Sequence, residues 1–92
     1  MEKLKQSKGF VVEEMDDEIL LYKPSVHRAI HLNGSAATIW KLCDGTRTIK
    51  DLVTCLMSEY PSAQSSIPYE VQEAIELLLR EGALVEQRLD AE

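Results

Sequence analysis

Residues that would place this chain in a special structural class are scarce. Its 92 residues include two cysteines, three prolines and four glycines, which excludes a disulfide scaffold and a collagen-like or low-complexity chain. No apolar run approaches the roughly 20 residues that span a bilayer. No apolar segment follows the charged N-terminus, as it would in a signal peptide. We therefore expect a reduced, soluble, cytoplasmic protein without a membrane partner.

Basic residues are also few. Ten lysines and arginines against sixteen acids give a formal charge of −6. An acidic chain repels phosphate backbones, so nucleic acid is not expected as a partner. The apolar fraction of 45% is ordinary for a globular protein. A chain of this length predicts a single domain over residues 1–92, with one modest core and little room for a deep active site.

The first third of the chain has the alternation that is typical of β-strands. Residues 1–8 are mostly polar or charged and predict a flexible tail. Three strands are predicted over about 10–32, with turns at Asp16-Asp17 and Pro24-Ser25. In the third strand, apolar and polar side chains alternate between Val26 and Leu32, as in a half-buried strand. The pattern predicts a three-stranded antiparallel β-meander.

The apolar period then changes to that of helices. Three helices are predicted over about 33–82, and Asp44-Gly45 is expected to close the first of them. Thr48 and Asp51 form an approximate capping box for the second. Residues 83–86 predict a short final strand or an extended tail. The fold class is therefore α+β: a β-meander followed by a three-helix bundle, similar to a winged helix-turn-helix.

Side chains that could carry catalysis or bind a metal do not cluster in the sequence. His27 and His31 would lie roughly 13 Å apart on one strand, too far to share a metal ion. Cys43 and Cys55 fall within predicted helices, and the sequence has no Gly-rich phosphate loop or nucleophile elbow. No catalytic residue, metal or cofactor is therefore predicted. The only tryptophan, Trp40, lies on an apolar helix face and is expected in the core.

A set of short motifs in fixed order carries a resemblance to a known family. A Leu-Asn step precedes a helix that starts with small residues, and a Leu-x-x-x-Gly-x-Leu segment ends the last helix. The motifs are Leu32-Asn33, Ala36-Ala37, Ile39-Trp40, Asp44-Gly45, Thr48-Ile49, Asp51, Tyr60, and Leu78, Gly82 and Leu84. Over roughly residues 10–86 the chain resembles the coenzyme PQQ synthesis protein D family. Related domains serve as leader-peptide recognition elements for ribosomally made, modified peptides.

The resemblance implies a peptide chaperone and no enzymatic activity. Such a protein binds the leader segment of a precursor peptide and presents it to a radical S-adenosylmethionine enzyme, in PQQ or related peptide biosynthesis. The leader adds as an antiparallel strand to the third strand, Val26–Leu32, opposite the third helix, Tyr69–Arg80. Because a free strand edge offers unpaired N–H and C=O groups, the mode is physically reasonable. The implied peptide-binding residues are Val26, His27, Arg28, Ala29, Ile30, His31, Glu70, Glu73, Ala74 and Leu77.

Other interpretations stay open at this point. The third strand carries Arg28 and two histidines but no acid, so an acidic or apolar leader is expected to suit it. The acidic residues between Glu13 and Glu18 predict either a solvated hairpin tip or a docking patch for a basic partner. The alternative function is a structural adaptor or a dimerising interaction domain that pairs with a second copy of this chain. A third hypothesis is a winged helix that no longer binds DNA, because its last helix is acidic.

Overall fold

The structure is a computed structural model, and it describes residues 2–88. Six strands and three helices follow one another along the chain, with 3₁₀ turns at Pro24–Val26 and Pro61–Ala63. The strands form two antiparallel sheets of three strands each, in the orders β2-β3-β4 and β5-β1-β6. The elements are β1 (Glu2–Gln6), β2 (Val11–Met15), β3 (Glu18–Lys23), β4 (Arg28–Leu32), α1 (Gly34–Leu42), β5 (Asp44–Arg47), α2 (Ile49–Glu59), α3 (Ile67–Arg80) and β6 (Leu84–Arg88).

The sheet β2-β3-β4 is the predicted meander. Its first turn is the two-residue loop Asp16-Asp17, and Asp16 takes a positive φ of 53°, as the first position of a primed hairpin turn can require. The apolar residues Ile19 and Leu21 of β3 pair with Leu32 and Ile30 of β4. All four are buried and form the inner face of the sheet.

α1 packs on that inner face in contact with β3 and β4, and α3 packs on both α1 and α2. Local sequence signals account for three of the helix ends. The side chain of Asn33 caps α1 by accepting from the Ala36 N–H. Thr48 and Asp51 form a complete capping box at α2. After α3, Gly82 has a φ of +80°, and the N–H groups of residues 82 and 83 bond to the carbonyls of residues 79 and 78. These two bonds form a Schellman motif, which ends the helix and starts the chain toward β6.

The second sheet contradicts the prediction of a flexible tail over residues 1–8. β1 lies between β5 and β6 and pairs with both, while Leu4 is only 1% exposed. The Gln6 N–H donates to the Cys43 carbonyl at 3.0 Å, and the Ser7 N–H donates to the Ala83 carbonyl at 3.0 Å. Tertiary contacts therefore order a segment that has almost no apolar residues of its own. Of the two alternatives predicted for the last segment, a short strand or an extended tail, β6 confirms the strand.

Two element boundaries also differ from the prediction. The region 33–82 is not all helical, because residues 44–47 form β5. Gly45 does have a positive φ of 93°, but it lies where the β1–β5 register is irregular, and α1 has already ended at Leu42. The third strand begins at Arg28 and not at Val26, because Val26 ends a 3₁₀ turn and His27 is left-handed, with φ 51°.

Candidate functional site

β4 is an edge strand with an open side. It pairs with β3, and no strand of residues 2–88 pairs with its other side. Met15 and Glu18 flank the two-residue hairpin turn, so these two residues exchange both of their backbone hydrogen bonds. Hydrogen-bonded and non-hydrogen-bonded residue pairs alternate from there along the strands, which determines the direction of each backbone N–H and C=O group in β3 and β4. In the β3–β4 register, this alternation turns the backbone groups of Arg28, Ile30 and Leu32 toward β3. The N–H and C=O groups of Ala29 and His31 therefore point away from β3. The open side thus offers donors and acceptors at these two residues.

α3 runs antiparallel along the open side of β4. At one end, the guanidinium of Arg28, the first residue of β4, bonds to the carboxylate of Glu81, which directly follows α3. At the other end, Gly34 and Ser35, which follow β4, line a cavity together with Glu70 in the first turns of α3. The ion pair and the shared cavity mark the two ends of the space between β4 and α3, which we call the groove.

One face of α3 forms the helical wall of this groove. Glu70, Ala74, Leu77 and Glu81 follow one another at intervals of four, three and four residues, which places them on one helix face. Leu77 is 38% exposed, whereas its neighbour Leu78 is fully buried in the core. The wall therefore has an apolar centre with an acid at each end, and Glu73 borders it on the solvent side.

The basic side chains of β4 already have acidic partners. Arg28 pairs with Glu81, and the His31 Nε2 lies 2.5 Å from a Glu18 carboxylate oxygen. Tyr69 donates a hydrogen bond to Glu73, and this bond, with the carboxylate charge, raises the pKa of Tyr69. The net charge along the groove is therefore negative, contrary to the basic strand that the sequence predicted.

A cavity of about 350 Å³ lies at the end of the groove where α3 begins. Ile39, Leu56, Ile67 and Val71 supply apolar walls. Its polar lining comes from hydroxyl groups of α1, the side chains of Tyr60 and Ser62, and the Glu70 carboxylate. A cavity of this size and composition can enclose one side chain of a bound peptide.

Comparison with known proteins identifies the family. The sequence model for Coenzyme PQQ synthesis protein D (PqqD) matches residues 18–84, which is most of the chain. The chain belongs to the PqqD family. The match begins at β3 and ends at the start of β6, so it includes both walls of the groove. No curated protein sequence matches the chain.

Two solved structures have the same fold as this PqqD-family chain. TbiB1 in complex with the TbiA(beta) leader peptide matches with a TM-score of 0.72 and 20% identity, over 87% of this chain and 93% of that one. The heterocyclase TruD matches with a TM-score of 0.70 and 17% identity, over 100% of this chain and 12% of TruD. The same fold thus occurs in a chain of similar length and as a small part of a much larger enzyme.

The predicted site residues of this PqqD-family chain do not all share the groove. Arg28, Ala29 and His31 lie on β4 and are exposed, and Glu70, Ala74 and Leu77 lie on the facing side of α3. Three others are placed differently: Val26 and His27 precede β4, and the side chain of Ile30 is only 7% exposed and faces the core. Glu73 stands at the border of the wall.

Sequence reasoning missed the cavity and the ion pair that ends the groove. Ser35, Thr38 and Tyr60 line the cavity, and Glu81 pairs with Arg28. For Glu81 a signal existed, because it continues the spacing of Glu70, Ala74 and Leu77. For the cavity there was none, because its lining comes from three helices and a turn that meet only in the fold.

The largest pKa shift in the PqqD-family chain, that of Cys43, lies outside the groove. Burial raises the pKa of Cys43 to about 12, so its thiol stays protonated near neutral pH. Hydrogen bonds from Thr46 lower the pKa of Asp44, and the Thr48 N–H lowers that of Asp51. Within residues 2–88, no three His, Cys, Asp or Glu side chains form a group that could hold a metal ion. In the same range, no helix has both the length and the apolar character needed to cross a membrane.

Proposed function

We propose that this chain binds the leader segment of a ribosomally made precursor peptide as an added strand on β4. The observation that carries the proposal is the open side of β4 with the apolar centre of α3 alongside it. Membership in the PqqD family supports it, as does the fold shared with TbiB1, which was solved with a leader peptide. The function is recognition, and the chain itself carries out no reaction.

Two kinds of contact would hold the leader. The N–H and C=O groups of Ala29 and His31 would form up to four backbone hydrogen bonds, each contributing about 0.5–1.5 kcal/mol. Alternate leader side chains would point into the groove, where Ala74 and Leu77 offer apolar surface. Main-chain pairing supplies affinity for an extended peptide, and the groove supplies the sequence preference. Val26, His27 and Glu73 would contact only the ends and rim of such a peptide.

The modifying chemistry would belong to a partner. We propose that the chain presents the bound precursor to a radical S-adenosylmethionine enzyme in the cytoplasm, since members of the family act in PQQ and related peptide biosynthesis. No cofactor is assigned to the chain itself. The acidic hairpin tip is exposed at Glu13, Asp16 and Asp17, and it lies at the end of the sheet near the start of α1, well placed to contact a basic partner surface.

Amide chemical shifts test the proposal directly. Isotope-labelled protein would be titrated with a synthetic peptide of the precursor leader encoded beside its gene, and with a scrambled peptide of equal composition. We expect the leader to shift the amides of residues 28–32 and 67–81, with the largest changes at Ala29 and His31. Shifts spread over the second sheet, or equal shifts with the scrambled peptide, would contradict strand addition to β4.

Self-association is a second candidate function, favoured by the outer face of the same sheet. The cross-strand neighbours Val11, Tyr22 and Ala29 are all exposed there, and Val11 is 57% exposed. An exposed apolar face can mark an interface. Light scattering during size exclusion, over a wide concentration range, distinguishes the two functions. A stable dimer that blocks the amide shifts of β4 would favour the adaptor, and a monomer would favour leader binding.

A further inference from the structure

We propose that the cavity at the start of α3 receives a lysine or arginine side chain of the bound leader, and that the Glu70 carboxylate forms an ion pair with that side chain. The inference rests on the proposed function, because it assumes that the leader lies along β4. It adds the chemical class of one leader residue. It also differs from the expectation from the sequence that an acidic or apolar leader would suit this protein.

The walls of the cavity suit the stem of a long side chain. Ile39, Leu56, Ile67 and Val71 line it and are all nearly inaccessible to solvent. Lysine and arginine bury their methylene groups against apolar surface while their charged ends reach polar groups. A short side chain would leave much of the 350 Å³ unfilled. The cavity thus favours a long side chain over a small one.

Two hydroxyl groups and one carboxylate of the cavity are placed to accept hydrogen bonds. The Ser35 hydroxyl donates to Asn33 Oδ1 at 3.3 Å, and the Thr38 hydroxyl donates to the Gly34 carbonyl at 3.0 Å. Since each hydroxyl has one hydrogen and it is already used, both oxygens are left to accept from an incoming donor. An ammonium or guanidinium group supplies donors only.

The charges around the cavity also favour a cation. Glu70 is the one charged residue of its lining, and among residues 2–88 its carboxylate has no ion-pair partner, unlike Glu81 and Glu18. The Tyr60 ring, which is 51% exposed, stands at the same cavity and can contact a cation through its face. The last turn of α2, from Leu56 to Tyr60, adds the negative end of its helix dipole.

A double-mutant cycle between peptide and protein tests the inference. The probes are synthetic leader peptides in which each position in turn carries lysine or norleucine, which has a similar apolar stem but no ammonium group. Binding is measured by fluorescence anisotropy of labelled peptides. At one position we expect wild-type protein to prefer lysine by about two- to fivefold, the range for an exposed charge pair. Glu70→Gln is expected to abolish that preference.

Glu76→Gln is the matched control. It removes the same charge from α3, but Glu76 lies on a different helix face and bonds to Gln72. We expect this variant to keep the lysine preference, and added salt to weaken the preference in wild-type protein. Equal or tighter binding of norleucine at every position, with β4 amides still shifting, would overturn the cation inference alone. Absence of β4 shifts with every peptide would overturn the proposed function and this inference together.

Discussion

The two sheets of this molecule differ in how far apart in sequence their paired strands lie. The sheet β2-β3-β4 joins consecutive strands through short turns and carries four buried residues on its inner face. The sheet β5-β1-β6 joins segments that begin at residues 2, 44 and 84, and Leu4 and Leu84 are its buried apolar residues among those described. One sheet forms from local pairing, and the other forms only when distant parts of the chain meet.

Because of this difference, the first sheet has an open strand edge beside α3, whereas the second sheet joins distant segments of the chain. The local sheet leaves the side of β4 open beside α3, which is where the proposed leader strand would pair. The distant sheet has its central strand paired on both sides, and the Gln6 side chain donates to the Trp40 carbonyl while the Trp40 indole donates to the Ala83 carbonyl. We infer that the second sheet ties β1 to β6, which follows α3 in the chain, and thereby holds α3 in place as a wall of the groove.

The largest expected effect tests whether the second sheet belongs to the core. Leu4→Ala removes a side chain that is 1% exposed, so the free energy of unfolding should fall by about 2–5 kcal/mol. Denaturant unfolding followed by circular dichroism measures this. Leu77→Ala, at a residue 38% exposed, is the control and should cost less than about 1 kcal/mol. Equal costs would mean that residues 1–8 are a tail after all.

The second prediction concerns the open side of the first sheet. Ala29→Pro removes an outward N–H that strand addition requires, so leader affinity should fall at least about tenfold. Val12→Pro is the control, because the same alternation points the Val12 N–H away from β3 on the opposite edge of the sheet. Val12→Pro should lower the free energy of unfolding about as much as Ala29→Pro does, but it should leave the leader affinity, measured by fluorescence anisotropy, unchanged. Equal losses of binding in both variants would point to damage of the sheet as a whole.

The third prediction uses Cys43, whose carbonyl accepts from Gln6 of β1. Its pKa is raised from 9.0 to about 12, so the unfolded chain loses this proton first. Stability from the protonated thiol is complete below pH 9 and is lost as pH rises toward 12. Relative to Cys43→Ala, wild-type stability should fall by up to about 1.4 kcal/mol per pH unit in this window. Urea unfolding at a series of pH values measures it.

Cys55, which is half-buried and free, provides the comparison for that experiment. A Cys55→Ala variant should keep the pH dependence of wild type, since the effect belongs to Cys43. In native protein, a thiol reagent should label Cys55 quickly and Cys43 only as fast as the chain opens. Fast labelling of Cys43 under native conditions would show that the second sheet opens independently of the first.

The smallest expected effect concerns the hairpin turn of the first sheet. Asp16 has a positive φ of 53°, a conformation that glycine adopts without steric cost. Asp16→Gly should therefore raise the free energy of unfolding by about 0.5 kcal/mol. Asp17→Gly is the control, because Asp17 has no positive φ, and it should be neutral or destabilising. A loss of stability with Asp16→Gly would contradict the turn geometry on which the register of β4 depends.

The fold was predictable wherever neighbours in sequence decide the structure. The hairpin, the Asn33 cap, the Thr48–Asp51 capping box and the stop at Gly82 all follow from local chemistry. The strand β1 was not predictable, because Leu4 is its only buried side chain among those described and a single apolar residue gives no period. The strand β5 was hidden by Asp44-Gly45, which is also a common helix end.

The candidate site divides in the same way. The exposed positions of β4 and the flank of α3 could be assigned from alternation and from helical spacing, together with the family resemblance. The charge of the groove could not, because Arg28 and His31 are basic in sequence but paired in space with Glu81 and Glu18. Ion pairs between residues 53 and 13 positions apart depend on how the elements pack.

The sequence by itself determined the elements that satisfy their own backbone groups nearby: two hairpin-linked strand pairs, three capped helices and their apolar faces. The tertiary structure decided which edge stays open, which acids remain unpaired and where the cavity lies. The physical reason is that caps and turns are satisfied within a few residues. A groove, its charge and the strand that orders the N-terminus arise from contacts between segments that the sequence keeps far apart.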